Sequence, residues 1–327
     1  MEGKIRKSRV GNMKLERDMY LPTSLGETGA YPKEAYGSAN FHHGEILQGV
    51  YVDENGRIHR GLISLICDVM GSQATFQPSL DNTVHIAPAW KVRAKRAAEL
   101  TLDHLNTQHR GGLLTIKSHI PFGWGLGSST SDVTATIRAV ANAFGSKLPG
   151  HCIAELAVRA EIASDPLMFG DRVVLFAHRE GHIIEDLGDC LPPLELVGFN
   201  TDPQGNGINT LAYKPARYGW RDIEAFRTMI GLMRRAVQVR ASHLVGRVAS
   251  ASARINQQYL PKPCFDKLER LAGDMQAVGL QVAHSGTVAG FLFDPQEADT
   301  PQRIECSKAL LAEMGFILTC HFKTKAS

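Results

Sequence analysis

The sequence predicts an α+β chain in two lobes, on three observations. Strand-like and helix-like stretches alternate up to about residue 200, helices dominate beyond it, and the chain closes as strand, turn, strand, helix, strand. A chain of 327 residues is too long for one small core and suits one large or two moderate domains. The expected division is a polar tail over 1–36, a first domain over 37–200 and a second over 201–327.

The first element, SANFHHGEILQGVY (38–51), reads as an extended segment turning at Gly44. Strands are expected over 60–68, 71–77 and 83–87. Residues 91–106 read as a helix, because Ala, Leu, Lys and Arg dominate and apolar positions recur at helical spacing. GLLTIKSHIP then alternates as a strand until Pro121. SSTSDVTATIRAVANAFG predicts a helix closed at Gly145, where a left-handed residue fits. PGHCIAELAVRAEIASDP predicts a second helix, stopped near Pro166. A hairpin over 172–177 and 182–187 follows, then a strand in PPLELVGFNT. Helices over 221–257 and 265–278, strands over 280–284 and 289–294, a helix over 300–314 and a strand over 316–323 complete the chain. This last part resembles a split β-α-β arrangement with helices on one face.

Composition narrows the partners. The net charge of +3, from 36 basic and 33 acidic residues, argues for no particular polymer, so no nucleic-acid partner is expected. No run of 18 apolar residues occurs, so no membrane span is expected. The first 20 residues lack the apolar stretch of a secretory leader. Six cysteines without CxxC spacing then read as reduced thiols of a cytoplasmic protein.

The chemistry concentrates in PFGWGLGSSTSD (121–132), where Gly123, Gly125 and Gly127 alternate ahead of Ser128, Ser129, Thr130 and Ser131. Strand, glycine-rich loop, helix is a physical recipe for an anion site: free N–H groups and the helix dipole point outward, and glycines let a phosphate approach the backbone. The string is neither a Walker A loop, which needs a lysine where serine stands here, nor GxGxxG. A plain helix cap would need only one serine and one glycine. Asp132, directly behind, suits a structural role at the helix start.

The string resembles the second motif of the GHMP small-molecule kinases, P-x-x-x-G-L-G-S-S-x-[SA], met here by Pro121, Gly125, Leu126, Gly127, Ser128, Ser129 and Ser131. AHSGTVAGFLFD (283–294) stands where that family has its third, glycine-rich motif, and SANFHHGEILQGVYV keeps Gly44-Glu45 of the first. G-E-x-x-Q-G, a later E-x-x-x-D and A-H-S-G-[ST]-V look like the branch of L-threonine kinases of cobalamin side-chain assembly. His42-His43 stand where that branch has a small residue and a cysteine, and EIASD is one residue longer than its E-P-T-D.

The resemblance implies a ribosomal-S5-like N-terminal lobe and a ferredoxin-like C-terminal lobe, with ATP and a small hydroxyl substrate between them. The loop Pro121, Gly123, Gly125, Leu126, Gly127, Ser128, Ser129, Thr130 and Ser131 would hold ATP. Ser128 and a carboxylate, Glu161 with Glu155 as competitor, would hold Mg²⁺. Asp165 is the candidate base, or a residue that orients substrate; a helix surviving to it would set it on one face with Glu161. His43, Gly44 and Glu45, with His284, Ser285, Gly286 and Thr287, are the candidate substrate contacts. On a strand His42 and His43 face opposite ways, so one of them lines a pocket. The expected activity is phosphorylation of a hydroxy amino acid such as L-threonine, by a monomer or homodimer. Another small alcohol as acceptor, or an inactive metabolite-sensing regulator of the same fold, are the alternatives.

Overall fold

The structure, a computed structural model, describes residues 32–108, 111–202, 204 and 216–325. The expected N-terminal tail lies outside the described residues except for its last few positions.

Strands β1 (Ala35–Val52) and β2 (Ile58–Ser79) form one long antiparallel hairpin. Its turn is set by Asp53, whose Oδ1 accepts the N–H groups of Asn55 (2.9 Å) and Arg57 (2.8 Å). Two expectations are corrected here. The segments 60–68 and 71–77 are one strand, bent where the pairing slips between Asn40↔Gly71 and Phe41↔Cys67. Gly44 makes a bulge rather than a turn: its φ of +65° re-aims residues 42–45 while the strand runs on.

β3 (Val84–Ala87), α1 (Val92–His104) and β4 (Gly111–Ser118) make a parallel crossover, and β4 pairs antiparallel with β2. β4 ends at Ser118, three residues short of Pro121, so residues 119–127 form the loop into α2 (Ser128–Ala143). α2 is buried on almost every side, with Ala135 and Ala139 against β1: a Cβ on Gly37 would lie 2.2 Å from the Ala135 carbonyl. α3 (Gly150–Glu161) packs with α1 and α2 over β5 (Val173–Ala177), which forms the expected hairpin with β6 (His182–Gly188).

The remaining elements run β7 (Glu195–Asn200), α4 (Trp220–Gln238), α5 (Ser242–Asn256), α6 (Phe265–Asp274), β8 (Gly279–Val282), β9 (Val288–Phe293), α7 (Thr300–Glu313) and β10 (Ile317–Lys323). Residues alternate between two cores along these strands. Val197, Phe199, Phe291 and Phe293 pack with α6 and α7, whereas Leu196, Val288 and Leu292 join a central core with Phe41, Leu47 and Leu126. The sheet order is β10-β7-β9-β8-β1-β2-β4-β3. β1 meets β8 at a single residue pair, Glu45↔Val282, which brings the Gly44 bulge beside the turn 283–287.

Candidate active site

The glycine loop answers to two demands. Gly123, Gly125 and Gly127 all have left-handed backbones, with φ of +78°, +84° and +68°. Gly125 lies back to back with Gly286, where a Cβ on either would come within 3 Å of the other's backbone. The Trp124 carbonyl accepts the N–H groups of Thr287 (2.9 Å) and Val288 (3.1 Å). The turn 283–287 therefore sits against the loop. Gly127 is pressed to His42, whose Cδ2 would be 2.2 Å from a Cβ there. Leu126 anchors the loop in the central core. Beyond it, α2 starts with no side-chain cap, which leaves the positive end of the helix to the loop.

Ser129 and Thr130 face the carboxylates. Ser129 Oγ donates to Glu161 Oε2 (2.6 Å), and Thr130 Oγ1 lies 2.8 Å from Glu161 Oε1 and 3.1 Å from Asp165 Oδ2. These, and not Ser128, are the hydroxyls that touch Glu161. Ser131 turns the other way, donating to the Ala39 carbonyl (3.0 Å) and accepting the Ser72 N–H (3.1 Å). Asp132 is structural, paired with Lys91 and accepting from Ser72 Oγ (2.7 Å). Arg93, in the first turn of α1, donates to Ser129 Oγ (3.1 Å).

Glu161 and Asp165 meet by a different route from the one the spacing suggested. α3 stops at Glu161, because Ile162 takes φ +74°, a conformation strained for a β-branched residue. The chain then folds back, with Ser164 N–H on the His178 carbonyl (2.9 Å), and delivers Asp165 to Thr130 from outside the helix. Glu155 is exposed on α3, away from this cluster, while Glu161 is buried. Burial pushes Glu161 up to about 7; Asp165 adds to the rise, and the Ser129 and Thr130 hydroxyls oppose it. Burial would also raise Asp165, but His42 outweighs it and holds Asp165 below the ordinary carboxylate range.

His42, not His43, faces this cluster. Its Nε2 is 3.0 Å from Asp165 Oδ2 and its Nδ1 is 3.2 Å from the Gly44 carbonyl. Both partners are acceptors, so the doubly protonated ring satisfies both contacts. Burial would lower His42; Asp165 first, then Glu45 and the Gly44 carbonyl, carry it up to about 9. His43 lies on the other face, held by Gln281 Oε1 (3.1 Å) and Thr319 Oγ1 (2.9 Å), and burial pushes it down to about 4.

Glu45 is buried at the β1–β8 seam. Its Oε2 accepts the His284 N–H (2.8 Å) and lies 3.3 Å from His284 Nδ1, while Oε1 is 3.9 Å from His42 Nδ1. His284 Nε2 is 3.1 Å from Ser252 Oγ on α5. Ser285 is exposed at the tip of the turn, and Thr287 is buried, its carbonyl accepting from Thr201 Oγ1 (2.6 Å).

Four residues at this site escaped the sequence reading. Lys91 and Arg93 were visible as a basic helix start, with no sign that they reach α2. His178, pushed down to about 4 by burial, and Lys262, buried in the loop after α5, carry no local signal. Trp90 and Phe122 form an exposed edge-to-face pair beside the loop, ring centres 6.0 Å apart.

Comparison with known proteins agrees with this geometry. Residues 93–170, which run from α1 through the glycine loop to Asp165, match the family described as GHMP kinases N terminal domain. The L-threonine kinase of Citrobacter freundii is 28% identical over 198 residues, 57% of this chain and 64% of that protein. The L-threonine kinase of Salmonella typhimurium is 29% identical over 187 residues, 56% of this chain and 60% of that protein. The matched region thus spans less than two-thirds of the length of these curated relatives. Among solved structures, homoserine kinase from Cytophaga hutchinsonii superposes with a TM-score of 0.64 at 15% identity, covering 93% of this chain and 98% of that one.

The chain therefore has the GHMP kinase fold. Its segment 93–170 matches the GHMP kinases N terminal domain, and among named relatives the chain is similar to L-threonine kinases. Among the described residues no helix is long and apolar enough to cross a membrane.

Proposed function

We propose that this chain is a Mg²⁺-dependent kinase that transfers the γ-phosphoryl group of ATP to the hydroxyl of a small metabolite, a hydroxy amino acid such as L-threonine. The observation that carries the reading is the pair Glu161 and Asp165, both on Thr130 at the uncapped start of α2. A site for phosphoryl transfer needs an anion cradle, a metal carboxylate and a second carboxylate at the attacking hydroxyl, and this reading gives those parts to the glycine loop, Glu161 and Asp165.

The donor set fits Mg²⁺. Glu161 is buried with hydroxyl donors and, among the described residues, no ion-pair partner, and its raised proton affinity is what a metal ion at that oxygen would reverse. Glu161 and Ser129, with Ser128 adjacent, would hold the ion, which supplies charge neutralisation to the phosphates. The α2 amides and Arg93 face the same anion, and Trp90 with Phe122 offers an aromatic surface for a nucleobase. Asp165, kept ionised by His42, accepts the hydrogen bond of the acceptor hydroxyl. A carboxylate held this low is a weak base in the ground state, so it orients the hydroxyl and takes the proton only as the new P–O bond forms. The names of the curated relatives support L-threonine as the first acceptor to try.

The test is ADP release by the full chain with MgATP and a panel of hydroxy amino acids and other small alcohols. Acceptor-stimulated release supports the reading, and the preferred acceptor identifies the substrate. Absence of saturable MgATP binding removes it.

A further inference from the structure

The pairing of Gly61 with Ala177 brings the start of β2 beside the turn between β5 and β6. His59, two residues before Gly61, is buried there. Residues 178–181 then return the chain as β6, where His182 pairs back with Ala177. Gly181, with φ +78°, closes this turn on the Ala177 carbonyl (2.8 Å). Two histidines and a carboxylate thus converge from separate segments: one ligand atom from each of His59, Glu180 and His182 lies within 4.8 Å of the others. Among the described residues the other group of this kind is His42, Glu45 and Asp165, which belongs to the site already described.

The geometry around His59 has the parts of a metal centre with its outer support. Asp53 Oδ1 is taken by the N–H groups of its own turn, and Oδ2 is 3.2 Å from His59 Nε2. An ionised carboxylate only accepts, so Nε2 carries a proton, and Nδ1 is the ring atom aimed at Glu180 Oε2, 2.8 Å away. A ligating histidine is commonly oriented in this way, by a carboxylate on its far nitrogen. Between Nδ1 and Oε2, which both offer lone pairs, stands either a proton or a cation. His182 favours the cation. Its ring meets that of His59 edge to face with centres 5.3 Å apart. Two imidazoles on one tetrahedral ion, each bonded at about 2.0–2.1 Å, have ring centres roughly 5 Å apart. A bridging proton needs no second imidazole there.

We infer that His59, Glu180 and His182 form a binding site for Zn²⁺, with Asp53 as the positioning residue behind His59. Two imidazoles and one carboxylate suit Zn²⁺ and not Mg²⁺, which prefers oxygen donors alone, so this site differs in chemistry from the hydroxyl and carboxylate cluster at the glycine loop. The role is structural: the ion ties the β1–β2 turn to the β5–β6 turn. The second of these turns also holds the neighbour of Asp165, since the His178 carbonyl accepts the Ser164 N–H (2.9 Å).

The test titrates Zn²⁺ into the metal-stripped full chain by calorimetry, without nucleotide and with excess Mg²⁺ to occupy oxygen-donor sites. Melting temperature is the second readout. Wild type should bind Zn²⁺ with a Kd of about 10 μM or tighter, and its melting temperature should rise as the site fills. Glu180 and His182 are exposed, so Glu180→Gln and His182→Gln should fold as wild type does. Both should bind Zn²⁺ at least about 10-fold more weakly, with a smaller rise in melting temperature. Asp53→Asn is the sharper variant. Asparagine can keep the Oδ1 bonds of the turn while presenting N–H to Nε2, which moves the ring proton to Nδ1 and removes that ligand. Its Zn²⁺ affinity should fall about 10- to 100-fold.

Wild-type binding weaker than about 10 μM overturns the inference and leaves His59 a ring shared between two carboxylates. Binding as tight in His182→Gln, Glu180→Gln or Asp53→Asn as in wild type also overturns it, and assigns the ion to other ligands such as the free cysteines. If Asp53→Asn does not fold, the two exposed variants decide. The kinase reading stands or falls separately, since neither nucleotide nor acceptor enters this titration.

Discussion

Glu161 and Asp165 share one threonine hydroxyl and live in opposite surroundings. Glu161 has hydroxyl donors and, among the described residues, no ion-pair partner, and burial takes it up to about 7. Asp165 has the His42 imidazolium 3.0 Å away and is held down. Thr130 has a single hydroxyl proton for the two carboxylates, so it donates to only one of them at a time. The lesson is that similar side chains at adjacent places are set apart by their partners: one has its proton affinity raised by burial, the other is kept charged by the protein itself.

Removing the charge that the protein maintains should do the most damage. Asp165→Asn should lower kcat by about 10³-fold while MgATP affinity stays within about twofold, as read by steady-state rates beside a binding titration. Glu161→Gln should act on the other half of the pair. The Mg²⁺ concentration for half-maximal rate should rise by at least the roughly 10- to 100-fold that even an outer partner of a metal is worth.

His42→Gln sharpens the contrast through pH. His42 has its proton affinity raised from 6.5 to about 9 in the folded chain. Its contribution to stability is therefore complete below about 6.5 and lost as pH rises through about 9. The stability gap between wild type and His42→Gln in chemical denaturation should be widest below pH 6.5 and close through pH 9. The smallest effect separates neighbouring serines. Ser129→Ala removes a hydrogen bond to a carboxylate and should cost about 1–2 kcal/mol in unfolding free energy, while Ser128→Ala should change it by less than about 0.5 kcal/mol.

The phosphate-loop side of the site was largely legible. Three alternating glycines before a hydroxyl run announce a special backbone, and all three are left-handed. The sequence also singles out Glu161, but helical spacing is the wrong reason for its meeting with Asp165. What ends α3 is a positive φ at Ile162, a conformation that no local preference of isoleucine would signal. Strand alternation showed that only one of His42 and His43 could face a pocket. The Gly44 bulge and the slipped pairing decide which, and both depend on what the partner strand does. Lys262 was invisible for a similar reason. A lysine between two prolines reads as solvated loop, and only the packing of α5 and α6 around it makes it buried.

α2 carries the loop at its first turn and is enclosed along most of its length by β1, β2, α1 and α3. Substitutions there disturb the interior of the protein as well as its chemistry, so the nucleotide side has little freedom to change. The opposite wall, at the tip of the 283–287 turn, carries an exposed residue, Ser285. New acceptors should therefore arise by sequence drift on that wall, with the donor end inherited almost unaltered.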